Sequence, residues 1–401
     1  MVLERTRRTV KLRERPRLVG PLFLLVMLAT FSYFISVGAL QPTLPRFIEG
    51  QLGGGDVAVG AGIGAFSLSA VLLRPFTGRI SDAFGRRVLI ISGGLIVGVT
   101  SAGLLVTSSL PVLLGLRVLS GIGEAAFYVG CASTITDLAP EERRGEALSY
   151  FSLALFGGLA VGPVVGELML DRIGYQAAWH VVTWTAVFAG VCGFWISDTR
   201  PATVRDKAFE RNGRVVHPAA ILPGTVLAGS IVGLAGFSSF ITLYALQIGL
   251  DGSRFVFGLY SAVVLSVRLF GARIPDVLGP RKAGRSALIA VAAGFITMAV
   301  WQEPAGLYIG TVIYSIGHSL AFPALMSLAI SKAPVEERGA VVGTFTAFFD
   351  LAFGAGAVAL GWVASLFGYG GVFLGSALAA GLGLIALHFA TKPKAELAAA
   401  S

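Results

Sequence analysis

The chain is poor in charged residues and in cysteine, and both shortages narrow the class of protein it can be. Only 13% of its 401 residues are charged and 55% are hydrophobic, which excludes an ordinary soluble domain. Its two cysteines, Cys131 and Cys192, fall inside apolar runs and offer neither a disulfide framework nor metal-ligand spacing. The sequence also lacks a P-loop and a nucleophile elbow, so we expect no ATP-driven step, no catalysis and no cofactor.

Long apolar runs occupy most of the chain, with a mean hydropathy of +0.79. About 20 helical residues span roughly 30 Å of hydrocarbon, so each run is long enough to cross a membrane. The first run is too long for a cleaved signal peptide, which indicates an uncleaved first helix. The runs predict an all-α membrane protein with twelve transmembrane helices, at residues 19–40, 57–78, 88–107, 111–136, 146–170, 175–197, 222–248, 255–275, 284–301, 305–331, 339–363 and 370–391.

The positive charges are distributed unevenly between the two sides of these helices. With the N-terminus in the cytoplasm, all of the 31 Lys and Arg residues lie on the cytoplasmic side except Arg46, Arg117, Arg172 and Arg254. This is the asymmetry of the positive-inside rule, so the net charge of +9 reflects topology and not a nucleic-acid surface. We expect a monomer in a bacterial inner membrane, with both termini cytoplasmic.

An internal repeat divides the chain into two halves. The segment RPFTGRISDAFGRR at 74–87 returns in register at 268–281, and FSYFISVGALQ at 31–41 returns as FSSFITLYALQ at 237–247. We interpret each copy of the first segment as a short charged loop between two apolar runs. Repeats of this kind are typical of secondary transporters. The predicted units are a six-helix bundle at 1–197, a cytoplasmic central loop at 198–221 and a second six-helix bundle at 222–401.

Three motifs resemble those of the major facilitator superfamily. GRISDAFGRR at 78–87 resembles its loop motif between helices 2 and 3, and Arg117 in helix 4 resembles part of its second motif. A helix 5 pattern resembles the motif of its drug and metabolite proton-antiporter branches; its residues here are Gly158, Gly162, Pro163 and Gly166. The family pattern ends in a second glycine, where this chain has Glu167. The resemblance covers essentially the whole chain and implies two pseudo-symmetric six-helix bundles.

The resemblance also implies roles for two groups of residues. A cytoplasmic gating latch would join the halves through a charge cluster, with Asp82 near the start of helix 11; its residues are Gly78, Asp82, Gly85, Arg86, Arg87 and Asp137. The alternative is a solvated loop that obeys the positive-inside rule. In helix 5 the small residues permit close packing and Pro163 permits a bend, which is also common in membrane helices that have no such role.

Three ionisable residues lie deep within predicted helices, where a charge costs about 2.5–3.5 kcal/mol on insertion scales. Glu124 in helix 4 and His318 in helix 10 occupy equivalent positions of the repeat, and Asp350 lies in helix 11. A carboxyl group in an apolar cavity can retain a proton at neutral pH and release it to water. We therefore predict proton coupling at Glu124, with His318 and Asp350 modulating it.

Each of these residues has a simpler alternative role. Glu124 would form a static ion pair with Arg117, His318 would be a hydrogen-bonded core histidine, and Asp350 would be permanently paired with Arg74 or Arg268. Glu167, near the outer end of helix 5, is interpreted as an interfacial carboxylate.

A substrate cavity is predicted between helices 1, 4, 7 and 10, where the resemblance places the central cavity. Its candidate polar residues are Tyr33, Arg117, Tyr128, Tyr244 and Arg268, and its candidate apolar residues are Phe127, Phe240 and Phe322. Aromatic side chains at such positions also commonly face lipid or pack against neighbouring helices. His318 and Arg268 would suit an anionic substrate, whereas Glu124 and Asp350 would suit a cationic one.

The combined prediction is a proton-coupled secondary transporter that exports small amphiphilic compounds by alternating access. The alternative is a symporter or exporter of an organic solute such as a sugar, an organic anion or a metal-chelating metabolite. A sensor or scaffold on a transporter fold, or a membrane-embedded enzyme, would show no substrate-dependent proton movement. The expected partners are the small-molecule substrate, protons and the lipid bilayer, with no nucleic acid.

Overall fold

The computed structural model describes residues 18–140, 143–199, 216–271, 274–331, 333–334 and 337–389, and within these ranges the chain is helical with no strands. The first six helices are α1 Pro21–Gly50, α2 Asp56–Phe84, α3 Arg86–Gly103, α4 Leu110–Leu138, α5 Arg144–Arg172 and α6 Tyr175–Cys192. The next four are α7 Pro218–Gln247, α8 Arg254–Phe270, α9 Pro280–Val300 and α10 Pro304–Ile330. The helix Arg338–Phe389 is broken at Gly368, and we label its parts α11 (338–367) and α12 (369–389). A five-residue helix, Ile274–Leu278, precedes α9.

Within the described residues, nine helical segments are long and apolar enough to cross a membrane. This count of nine treats α11 and α12 as one segment, and it leaves out α6 and the 17-residue α8. The twelve helices α1 to α12 occur where apolar runs predict them. The prediction of an all-α, multi-pass membrane protein is therefore confirmed.

The structure corrects two helix boundaries. The segment 74–84, interpreted from sequence as a charged loop, continues α2 as helix up to Phe84, and Gly85 alone separates α2 from α3. Likewise, α1 does not end near residue 40 but continues through Pro42 and Pro45 to Gly50. Charged residues indicate a loop at 74–84, but membrane helices can extend beyond the hydrocarbon, and they also tolerate proline.

Glycines with positive φ end equivalent helices in both halves. Gly85 (φ 103) lies between α2 and α3, and Gly279 (φ 78), 194 residues later, directly precedes α9. Gly174 (φ 107) and Gly368 (φ 65), again 194 residues apart, separate α5 from α6 and α11 from α12. A side chain at such a φ would be strained, so these reversals require glycine. The repeat is thus present in the backbone as well as in the sequence.

Because successive helices alternate in direction, their connections lie at two faces. The odd-connection face carries the turns after α1, α3, α5, α7, α9 and α11, and the even-connection face carries the others. Across the halves, α2 packs on α11, α5 on α8 and α1 on α7. The α2–α11 contact is backbone to backbone: a Cβ on Gly60 would meet the Ala357 carbonyl and one on Gly64 would lie 2.7 Å from the Gly354 carbonyl. We call Gly60, Gly64, Gly354 and Gly361 the glycine seam.

The helix 5 glycines pack closely against α1. A Cβ on Gly158 would lie 2.5 Å from the Phe31 carbonyl oxygen, and one on Gly162 would lie 2.6 Å from the Ile35 carbonyl oxygen. Gly166 similarly faces Ala39, and the Pro163 ring contacts Gly38. Close packing between α1 and α5 therefore accounts for the small residues of this pattern.

We expect Gly158→Ala to destabilise the protein more than the same change at the adjacent Gly157. At Gly158 the added methyl meets backbone that cannot move aside, whereas at Gly157 it lies 3.3 Å from the edge of the Phe31 ring. Overpacking of this kind costs about 1–3 kcal/mol. Thermal unfolding of both purified variants in one detergent measures the difference; equal midpoints would contradict the prediction.

Candidate functional site

Glu124 belongs to a buried polar group in the N-terminal half. It lies 14 residues into α4, about 21 Å from the odd-connection face at 1.5 Å per residue, and is 8% exposed. Tyr33 of α1 is fully buried, stacks on Phe127 with 4.1 Å between ring centroids, and lies within electrostatic range of Glu124 and Arg117. Its hydroxyl has no hydrogen-bond partner among the described residues. The structure thus places Tyr33 near Arg117 and Glu124 inside the bundle.

Arg117 is anchored to α2. Its Nε donates a hydrogen bond of 3.0 Å to the Gly62 carbonyl oxygen, and its guanidinium lies 4.5 Å from the centroid of the Phe66 ring. The side chain is buried, with 7% exposure. These contacts give Arg117 a role in packing α4 against α2 and hold its charge near Tyr33.

His318 and Arg268 belong to a second polar group, in the C-terminal half. Each lies 14 residues into its helix, α10 and α8 respectively, at about the same depth as Glu124. The His318 ring centroid lies 5.6 Å from that of Tyr314 and 6.0 Å from that of Tyr260. Arg268 is within electrostatic range of His318 and places its guanidinium 3.9 Å from the Phe156 ring centroid on α5.

The remaining predicted site residues lie in other environments. Asp350 is 7% exposed on α11, and the side chain of Arg74, one of its two expected partners, is outside the described part of the structure. Tyr128 packs edge-on against Phe151 of α5. The Tyr244 hydroxyl donates a 3.0 Å hydrogen bond to the Met298 carbonyl of α9, within the core of the C-terminal half.

Several residues of the predicted gating latch form a cluster at the even-connection face. Arg86 donates from Nε to Asp137 at 3.2 Å and from Nη1 to Ser81 at 3.0 Å, and its backbone N–H donates to Asp198 at 3.1 Å. Arg87 donates to the Phe194 carbonyl at 2.9 Å. These contacts all lie within the N-terminal half. The side chain of Asp82 and any contact of Gly78 lie outside the described residues.

A second charge cluster links the two halves at the odd-connection face. Glu167 of α5 is fully buried and accepts hydrogen bonds of 2.9 and 3.0 Å from the backbone N–H of Ser253, the residue before α8. Asp171, one turn further along α5, binds Arg254 of α8 at 2.9 Å and Arg46 of α1 at 3.0 Å. We call these five residues the odd-face cluster. The prediction of an interfacial carboxylate is wrong, because Glu167 is buried against the N-terminus of α8, where it satisfies an otherwise unpaired backbone donor.

Sequence reasoning did not identify Asp198, Tyr260, Tyr314 or the partners of Glu167. Asp198 had a weak signal, because it lies two residues after Ile196, the last apolar residue of helix 6, at the face that carries Arg86. Tyr260 lies 194 residues after Phe66, the residue that contacts Arg117, so the internal repeat could have singled out its position. Ser253 and Glu167 are 86 residues apart, and no local pattern connects them.

Comparison with known proteins identifies the family. A family model described as Major Facilitator Superfamily matches residues 26–357. An uncharacterized MFS-type transporter of Salmonella typhimurium is 29% identical over 373 residues, covering 90% of this chain and 94% of its own length. The uncharacterized MFS-type transporter YhhS of Escherichia coli is 28% identical over 377 residues, covering 90% of each chain.

Solved structures share the fold at low sequence identity. The human organic anion transporter MFSD10 superposes with a TM-score of 0.71 at 19% identity, covering 92% of this chain and all of that one. A POT family transporter, solved with a thioalcohol-conjugated peptide, superposes with a TM-score of 0.77 at 13% identity, covering 92% of this chain and 96% of that one. Such likeness shows the fold alone. Together with the family match over most of its length, it shows that the chain is a membrane transporter and belongs to the major facilitator superfamily.

Proposed function

We propose that this protein is a proton-coupled secondary active transporter that exports small amphiphilic compounds by alternating access. Residues 1–197 and 222–401 would be its two moving halves, joined by the segment 198–221. The observation that carries the proposal is the burial of Glu124 about 21 Å inside the bundle, near the hydroxyl of Tyr33, which has no hydrogen-bond partner among the described residues. An ionisable residue at that depth is costly to retain without a function, and a carboxyl group there can carry a proton.

The contacts between the halves support alternating access. The glycine seam and the odd-face cluster hold the halves together at the odd-connection face, while Arg86 and Asp137 bind each other within one half. In a cycle of alternating access, the odd-face contacts would break as the even-connection face closes. If both termini lie in the cytoplasm of a bacterial cell, the face that these contacts close would be the outer one.

The helix 5 pattern supports export, although close packing on α1 accounts for its glycines without reference to direction. Glu167 occupies the position where antiporter branches carry a second glycine, and here it accepts a hydrogen bond from Ser253 of the other half. A symporter or exporter of a sugar, an organic anion or a chelating metabolite is the alternative.

Proton movement in inside-out vesicles with an acid lumen tests the proposal. A panel of cationic, anionic and neutral amphiphiles is added outside, and lumenal pH is followed with a fluorescent dye; vesicles without the protein provide the control. Export in exchange for protons raises the lumenal pH, whereas symport lowers it or leaves the pH gradient intact. Compound uptake without compound-dependent proton movement would overturn the proposed proton coupling. The sign of the lumenal pH change distinguishes export in exchange for protons from symport.

A further inference from the structure

Three buried polar atoms between α8 and α10 have no hydrogen-bond partner within the described part of the chain. They are Nδ1 of His318, the hydroxyl of Tyr314 and Nε of Arg268. His318 is 6% exposed and Tyr314 is fully buried. A buried polar atom without a partner destabilises a fold, so three in one region are available to hydrogen-bond a ligand.

The three side chains share one region between α8 and α10. Tyr314 and His318 are one turn apart on α10, with ring centroids 5.6 Å apart. Tyr260 of α8 stacks on Tyr314 at 5.8 Å and lies 6.0 Å from His318. Arg268, two turns further along α8, is within electrostatic range of both Tyr260 and His318.

The chemistry of these atoms favours an acceptor with negative charge. A guanidinium only donates hydrogen bonds and always carries a positive charge, and a tyrosine hydroxyl and an imidazole N–H also donate. One guanidinium balances a single negative charge, and its planar fork matches a carboxylate.

We propose that Arg268, His318 and Tyr314 bind the carboxylate of an amphiphilic organic anion, whose apolar part packs against Tyr260 and Phe156. The proposal rests on the proposed transport function and names the substrate class. Phe156 belongs to α5 of the other half, where its ring lies beneath the Arg268 guanidinium. A bound carboxylate would therefore bridge the two halves about 21–24 Å from the odd-connection face, at the depth of Glu124.

Three probes of nearly equal shape test the charge preference: 4-phenylbutyrate, 4-phenylbutylamine and 4-phenylbutanol. Their binding to purified full-length protein in detergent is measured by calorimetry, with no proton gradient. The carboxylate is expected to bind at least about tenfold more tightly than the alcohol, because hydrogen bonds to charged groups are the stronger ones. Arg268→Gln should remove this preference and Tyr314→Phe should reduce it.

Arg285→Gln, on the exposed face of α9, is the matched control and should bind 4-phenylbutyrate as the wild type does. If Arg268→Gln does not fold, Arg268→Lys keeps the charge without the planar fork and should bind the carboxylate more weakly while still preferring it to the alcohol. Equal binding of the three probes, or tighter binding of the amine, would overturn the proposal. Proton-coupled transport of amines or alcohols alone would leave the transport function standing and remove the carboxylate site. Carboxylate binding without proton movement would leave the carboxylate site standing and remove the proton-coupled transport function.

Discussion

Glu124→Gln is expected to reduce compound-dependent proton movement to the level of empty vesicles. Glutamine keeps the size of the side chain and its hydrogen-bonding capacity but cannot take up or release a proton. Glu124 is buried, with 8% exposure, and the only other carboxyl group of α4 is that of Asp137 near the end of the helix, so no group of α4 can replace it at this depth. Lumenal pH in the vesicle assay provides the measurement.

Two comparisons separate loss of coupling from loss of folding. Glu146→Gln, at an exposed position in the first turn of α5, makes the same chemical change and should retain wild-type proton movement. Exchange of labelled compound across the membrane without a gradient should survive in Glu124→Gln, because it requires binding and alternation but no net proton transfer. Undiminished proton movement in Glu124→Gln would exclude this carboxylate and transfer the coupling role to Asp350.

Glu167→Ala is expected to open the odd-connection face. The change leaves the backbone N–H of Ser253 without its acceptor, and an unsatisfied buried donor costs about 1–3 kcal/mol. Since 1.4 kcal/mol changes an equilibrium constant tenfold, the equilibrium between the closed and open conformations of this face should shift by roughly 5- to 150-fold. Glu167→Gln retains an acceptor oxygen and should shift it less.

Distances between nitroxide labels at Val106→Cys and Glu303→Cys, in the turns after α3 and α9, report this opening. Both native cysteines are buried and are replaced by serine in the labelled protein. Glu167→Ala should enlarge a population at longer distance, while Glu49→Ala, which removes an exposed carboxylate from the same face, should not. A distance distribution identical to wild type in Glu167→Ala would show that the odd-face cluster does not hold the halves together.

The helices could be predicted because the hydrocarbon demands long apolar runs, which are visible in any window of the sequence. Their ends were harder to predict. Pro42 and Pro45 remain inside α1, and the charged segment after Arg74 remains inside α2, because helix formation in and near a membrane satisfies backbone groups that would otherwise lack partners. Gly85, which has a positive φ in the structure, marks the end of α2 more closely than the charged residues do.

The site was predicted only in part, for a related reason. Burial of Glu124 and His318 follows from their depth in apolar helices and could be read from the sequence. Contacts such as Glu167 with Ser253, or Arg268 with Phe156, join helices of different halves and depend on how the bundles pack. Neither periodicity nor motif spacing records that packing, so these partners required the three-dimensional arrangement.

The glycine seam has a consequence for how this transporter can evolve. At Gly60, Gly64 and Gly354, even a methyl group would overlap atoms of the facing helix, so these positions admit almost no variation without separating the halves. Tyr260 and Phe156 contact their neighbours through side chains that other residues could replace. Under the proposed function, mutation at these two positions would alter which compounds are recognised while the contact surface between the halves is retained.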